Sequence, residues 1–114
     1  MDLLIGIDKV AHEYCLKGKG KTIAVLGGGF ENLYPKGNIK LLYKILDNEG
    51  LIITEYPPSM PCLKQNFVLR NRIIAALSKG IVVVEAKKSS GSLKTAQYGI
   101  ELKRDIFACP RKYI

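Results

Sequence analysis

The chain has no tryptophan, a single histidine, and no apolar run approaching the ~20 residues that span a bilayer. With His12 alone, no Ser-His-Asp set can be assembled, and no Walker A lysine motif is present. Cysteine is sparse as well: Cys15, Cys62 and Cys109 are widely spaced and form no Cys-x-x-Cys. His12 precedes Cys15 by three residues, but a zinc site needs three or four ligands and no others cluster nearby. Free thiols, buried or half-buried, are therefore expected, with no metal, no cofactor and no redox chemistry. Met1-Asp2-Leu3-Leu4-Ile5 shows neither a basic leader nor a small-residue cleavage site, which makes the cytosol the expected address. Acidic residues are in the minority, 10 against 18 Lys and Arg, for a net charge of +8. Such an excess favours an anionic partner (nucleic acid, nucleotide or membrane surface), although a merely solvated lysine-rich surface has the same composition. Repeats, low-complexity tracts and linkers are also missing. The 114 residues, 47% hydrophobic and 25% charged, fit one domain spanning 1–114 that buries about two-thirds of its unfolded surface.

What is present is an alternation. Thr22-Ile23-Ala24-Val25-Leu26, Leu51-Ile52-Ile53-Thr54, Ile81-Val82-Val83-Val84 and Asp105-Ile106-Phe107-Ala108 are short continuous apolar runs rich in β-branched residues. Runs of that kind are the pattern of strands buried on both faces of a parallel sheet. Helical periodicity lies between them. Asp8 to Lys17 is expected to bury Val10, Ala11 and Tyr14. Residues 38–49 start with Asn38 as N-cap, carry Ile39, Leu42, Tyr43 and Leu46 on one face and stop at Gly50. Residues 68–78 place Leu69, Ile73, Ala76 and Leu77 on one side with Arg70 and Arg72 elsewhere. Residues 92–103 align Leu93, Ala96 and Ile100. The order α-β-α-β-α-β-α-β predicts an α/β fold, a Rossmann-like three-layer α/β/α sandwich with a mainly parallel sheet of about four strands.

In an open parallel sheet, ligands bind beyond the carboxyl ends of the strands. The segments that follow the strands here are Gly27-Gly28-Gly29; Glu55 and the Tyr56–Pro61 proline loop leading to Lys64, Phe67, Arg70, Asn71 and Arg72; and Glu85, Lys87, Lys88 and Ser89-Ser90-Gly91-Ser92. All three are rich in phosphate-binding residue types. The glycines permit a close backbone approach to a phosphate, or simply a tight βα turn. The serine-glycine segment opens the last helix, where unpaired N–H groups seat an anion, and Ser92 is equally an ordinary N-cap. Two arginines at a helix start oppose the macrodipole, which points to an acceptor nearby. Phe67 is either a core plug or a platform on which a base stacks. Between Lys64 and Arg70 it matches what a single strand needs, cations along the backbone and a π-face for bases. Lys17-Gly18-Lys19-Gly20-Lys21 reads as a solvated turn. Glu55 and Glu85, flanked by cations, read as ion-paired organisers rather than an acid and a base.

Taken in order, the motifs resemble a known family. Gly6-Ile7-Asp8, Ala11-His12, Thr22-Ile23-Ala24-Val25-Leu26-Gly27, Tyr34-Pro35 with Asn38, and Glu55-Tyr56-Pro57 are similar to the DNA processing protein A (DprA/Smf) pattern. So are Phe67 with Arg70-Asn71-Arg72-Ile73-Ile74-Ala75, Val83-Val84-Glu85-Ala86, Ser90-Gly91-Ser92-Leu93 with Thr95-Ala96, and Phe107-Ala108. The match runs from Gly6 to about Pro110. It is most specific in the linked "F-x-x-R-N-R-I-I-A" and "V-V-E-A…S-G-S-L-x-T-A" strings. The resemblance implies a non-enzymatic protein that binds and protects single-stranded DNA without much sequence preference and loads RecA during natural transformation. It implies a pocket using Lys64 and Phe67; the segments after the strands and the start of the last helix add Gly27, Gly28, Gly29, Arg70, Asn71, Arg72, Lys87, Ser90, Gly91, Ser92 and Thr95 to the expected DNA-binding set.

The sequence departs from the family at both ends. A Gly-Ser-Arg turn whose arginine contacts DNA has no counterpart, Asp2 stands where glycine is usual, and Cys109-Pro110-Arg111 replaces a common "V-P-G". The expectation is an internal core of the family domain, in which a homodimer is left open. A related Rossmann group of nucleotide N-glycoside hydrolases carries "P-G-G-x-G-T-x-x-E" at the last βα turn. Here the second glycine and the glutamate are missing from Ser90-Gly91-Ser92-Leu93-Lys94-Thr95, which disfavours that alternative.

Overall fold

The computed structural model describes residues 7–33, 36–84 and 91–109. Along the chain these form α1 (Ile7–Lys17), β1 (Ile23–Val25), a 3-10 turn (Lys36–Asn38), α2 (Ile39–Asp47), β2 (Leu51–Ile53), α3 (Lys64–Leu77), β3 (Gly80–Val83), α4 (Gly91–Glu101) and β4 (Asp105–Ala108). The alternating α/β order expected from the sequence is present, and every strand pairing is parallel. Instead of one sheet of about four strands, the described strands form two parallel pairs, β1–β2 and β3–β4. Each strand is only three or four residues long, so each ladder is correspondingly short. The chain groups into two compact units, Met1–Asn66 and Phe67–Ile114.

In the first unit Ile23, Ala24 and Val25 pair with Leu51, Ile52 and Ile53. Ala24, Leu26, Leu41, Leu42 and Ile45 form the core, with Leu16, Leu33 and Ile52 packed against it. The buried stripe of α2 is thus Leu41, Leu42 and Ile45, while Tyr43 and Leu46 face water. Of the expected stripe through Ile39, Leu42, Tyr43 and Leu46, Leu42 is buried, and the pattern as a whole is displaced by one residue. The stripe that wins begins at Asn38, which is buried, and its polar side chain concealed an equally good i, i+3, i+4, i+7 pattern. Asn38 does occupy the N-cap position but makes no side-chain capping bond, because the helix is entered through a 3-10 turn. On α1, Val10 and Tyr14 are exposed. The residue that is buried is His12, whose Nδ1 lies 2.8 Å from the Thr22 hydroxyl.

Three helices end in the same way. After α1, α2 and α4 a non-glycine residue takes the left-handed conformation: Lys19 at φ 59°, Glu49 at φ 62° and Lys103 at φ 60°. The following N–H then reaches back to the third-last helical carbonyl, Gly20 to Cys15, Gly50 to Ile45 and Arg104 to Gly99, each at 2.8 Å. This is the Schellman closure. Gly50 therefore does not supply the helix-ending torsion, which Glu49 provides. It is small because a Cβ there would lie 2.6 Å from the Thr22 carbonyl oxygen.

In the second unit Gly80, Ile81, Val82 and Val83 pair with Asp105, Ile106, Phe107 and Ala108. One face of this ribbon, Ile81 and Ile106, packs against α4 at Gly99, where a Cβ would lie 2.5 Å from Ile81 Cδ1 and 2.8 Å from Ile106 Cδ1. Of the expected Leu93–Ala96–Ile100 stripe on α4, Ala96 is buried, as is Gly99, whereas Leu93 and Ile100 are exposed. On the other face of the ribbon, the paired Val82 and Phe107 are 61% and 57% exposed. Among the described residues, no helix is long and apolar enough to cross a membrane.

Candidate nucleic-acid interface

In the first unit the glycine segment and the proline loop are locked together. Gly27, Gly28 and Gly29 are all buried. The Gly29 N–H donates to the Met60 carbonyl at 2.9 Å, and the Glu31 N–H to that of Pro58 at 3.0 Å. The Asn32 side-chain amide donates to the Ser59 carbonyl at 2.9 Å, and the Thr54 hydroxyl to that of Gly28 at 2.7 Å. The close backbone approach that the glycines permit is made by this loop: a Cβ on Gly28 would sit 2.6 Å from Cys62 Sγ, and one on Gly29 would collide with the carbonyls of Pro57 and Pro58. Asn32, Thr54 and Cys62 were not legible as site-shaping residues, since each acts through long-range bonding to backbone.

Helix α3 begins at Lys64, four residues before the expected start, because Lys64-Gln65-Asn66 carries no apolar signal. Lys and Gln are good helix formers, and Asn66 is buried with its N–H on the Leu63 carbonyl at 2.9 Å. Two consequences follow. Lys64 and Phe67, three residues apart, share one side of a helix. Arg70 and Arg72 lie well past the first turn, so the macrodipole argument does not apply to them. Lys64 and Arg72 are exposed and Phe67 is half-buried. Arg72, five residues after Phe67, is turned about 140° away from it around the helix.

Arg70 and Asn71, by contrast, are 1% and 7% exposed. The Arg70 guanidinium carbon lies 5.0 Å from the centroid of the Phe67 ring, within cation–π range. Its Nε donates to Asn71 Oδ1 at 3.1 Å, and Asn71 Nδ2 donates to the Gly91 carbonyl at 3.2 Å. That network fixes the orientation of the amide, since a flipped Asn71 would set N–H against N–H and oxygen against oxygen. The Thr95 hydroxyl donates to the same Gly91 carbonyl at 3.2 Å. Within the second unit the structure therefore joins Phe67, Arg70, Asn71, Gly91 and Thr95, and ties α3 to the first residue of α4. Gly91 is exposed. The α4 helix starts at Gly91, which places Ser92 inside it rather than at its cap. Lys87, Ser89 and Ser90 lie outside the described residues. Cys15 and Cys62 are half-buried and in no disulfide, whereas Cys109 is exposed. Among the described residues no three His, Cys, Asp or Glu side chains gather as a metal site.

Short parallel strands alternating with helices, with glycine, basic and serine residues in the segments after them, define an open α/β protein of the kind that binds ligands at strand ends. Comparison with known proteins narrows the class. The family model for DNA recombination-mediator protein A matches residues 3–114. The chain is 49% identical over 105 residues to the DNA processing protein DprA of Streptococcus pneumoniae, covering 92% of this chain and 37% of that protein. It is 46% identical over 105 residues to Protein Smf of Escherichia coli, covering 92% of this chain and 28% of that one. Among solved structures, the S. pneumoniae DNA processing protein A superposes with a TM-score of 0.82 at 45% identity, over 92% of this chain and 37% of that one. DNA processing protein A from Helicobacter pylori, studied for its single-stranded DNA binding mode, gives 0.86 at 31% identity, over 96% of this chain and 49% of that one. The chain belongs to the DNA recombination-mediator protein A family, the DprA/Smf proteins. It spans roughly a quarter to a third of the length of these curated relatives, 28% and 37%.

Proposed function

We propose that the chain carries a surface for single-stranded DNA, and that within the whole protein it shields the strand in the cytosol and passes it to RecA for recombination during natural transformation. The observation that carries this reading is the pairing on α3 of an exposed lysine, Lys64, with a half-exposed aromatic, Phe67, braced by a cation at 5.0 Å. Lys64 takes a backbone phosphate and Phe67 offers a face to a base. The start of α4 at Gly91 and Ser92, preceded in sequence by Lys87 and Ser90, supplies N–H groups and charge for the next phosphates. Exposed Arg72 adds positive charge on another side of the helix. No catalytic step belongs to this reading. The H. pylori relative, studied for its single-stranded DNA binding, supports the choice of partner.

Fluorescence anisotropy with a short poly-dT strand at several ionic strengths tests the proposal. Affinity falls with salt at a slope of about −0.7 per phosphate neutralised. Phe67→Ala weakens binding by about 1–3 kcal/mol, one base stack, with the fold retained by circular dichroism. Binding that ignores salt, or a Phe67→Ala protein that binds as the parent does, overturns it.

A further inference from the structure

We infer that Arg70 and Asn71 are positioning residues: they act on DNA through Phe67 and the start of α4, without touching the strand themselves. The inference rests on the single-stranded DNA reading and assigns roles within that site. Sequence alone groups Arg70, Asn71 and Arg72 as one cationic contact segment, but the structure separates them. Arg72 is open to solvent, while Arg70 and Asn71 are 1% and 7% exposed. A phosphate is a large, strongly hydrated anion, and it cannot reach a guanidinium with almost no accessible surface unless the protein opens.

The bonds these two side chains make point the same way. Arg70 sits over the Phe67 ring and hands its Nε–H to Asn71 Oδ1. Asn71 spends its amide N–H on the Gly91 carbonyl, which the Thr95 hydroxyl also approaches. One continuous relay thus runs from the aromatic platform to the first residue of α4. A ring held in place before the base arrives loses less rotamer freedom on binding, which raises affinity without adding a contact. Gly91 is bonded through its carbonyl to Asn71, which fixes the direction of α4 at its first residue.

Positioning and contact make different predictions for salt dependence and for additivity. Loss of a phosphate-binding cation lowers the salt slope by about 0.7 on a single strand. Loss of a positioning residue lowers affinity at unchanged slope. The experiment is a poly-dT anisotropy titration across ionic strength with the parent protein, Lys64→Gln, Arg70→Met, Asn71→Ser, Phe67→Ala and the two double variants that add Arg70→Met or Asn71→Ser to Phe67→Ala. Lys64→Gln reduces the slope. Arg70→Met and Asn71→Ser each weaken binding about tenfold, the scale of one stacked base, with the parental slope, and neither weakens Phe67→Ala further. Arg70→Met preserves side-chain volume. Should it fail to fold, Asn71→Ser, uncharged and small, decides the question through its double variant. If Arg70→Met lowers the slope as Lys64→Gln does, or either effect multiplies with Phe67→Ala, the positioning role is overturned and DNA binding stands. If the parent does not bind, or Lys64→Gln and Phe67→Ala both leave affinity intact, the DNA reading falls and the inference falls with it.

Discussion

Replacing Gly29 with alanine adds one carbon at the point where the glycine segment meets the proline loop. That carbon would lie 2.5 Å from the Pro58 carbonyl carbon and closer still to the carbonyl oxygens of Pro57 and Pro58. The obstacle is backbone stiffened by consecutive prolines, so it cannot swing aside as a side-chain tip can. Relief requires the loops to part by about 1 Å, since carbon atoms settle at about 3.5–4.0 Å. Parting them breaks or strains the bonds from Gly29 N–H to Met60, from Glu31 N–H to Pro58 and from the Asn32 amide to Ser59. At about 1 kcal/mol net for each hydrogen bond, the loss is about 3 kcal/mol. For a chain of this size that corresponds to a fall in Tm of about 12 °C. Gly37→Ala is the matched control: no atom lies within 4 Å of its Cβ position, so alanine there is neutral or stabilises by about 0.4–1 kcal/mol through the unfolded chain. Thermal melts followed by circular dichroism compare the two. A Gly29→Ala protein melting within about 2 °C of the parent would refute the idea that the loops interlock.

Three further substitutions probe other joints. Lys103→Gly relieves a left-handed lysine at φ 60°. The torsional relief of about 1–2 kcal/mol is partly offset by the backbone entropy of glycine, about 0.5–1 kcal/mol, so the urea midpoint rises modestly. Thr22→Val keeps the shape of a buried side chain but removes the hydroxyl 2.8 Å from His12 Nδ1. It costs about 1–3 kcal/mol in equilibrium unfolding because the imidazole nitrogen loses that partner. Gly99→Val forces branched carbons onto Ile81 and Ile106, whose tips already stand 2.5 and 2.8 Å from the Cβ position, and destabilises by about 1–3 kcal/mol in a thermal melt.

The sequence disclosed strands better than helix faces. A run such as Asp105–Ala108 is short and does not alternate, and it matches β4 at both ends. Helix faces were misplaced where a polar residue is buried. An apolar-stripe reading counts Asn38, Asn66, Arg70 and Asn71 as solvent-facing, yet all four are buried. It also gives no weight to Gly99, where a Cβ would meet both Ile81 and Ile106. For the candidate site, the residue types and their order were legible from Lys64 through Arg72. Accessibility was not: it depends on how α3 is rotated, and the bond from Asn71 to the Gly91 carbonyl takes part in that. No periodicity encodes that contact, because it links a polar side chain to one distant carbonyl.

The wet side of the β3–β4 ribbon has a practical consequence. Val82 and Phe107 stand next to each other there, both more than half open to water. An aromatic and a branched aliphatic side by side form a sticky spot, and in crowded solution the readiest way to dry it is against another macromolecule. The pair adds to retention on hydrophobic resins and to turbidity at high concentration, and Val82→Thr lowers both while leaving the ladder and the α4 packing untouched.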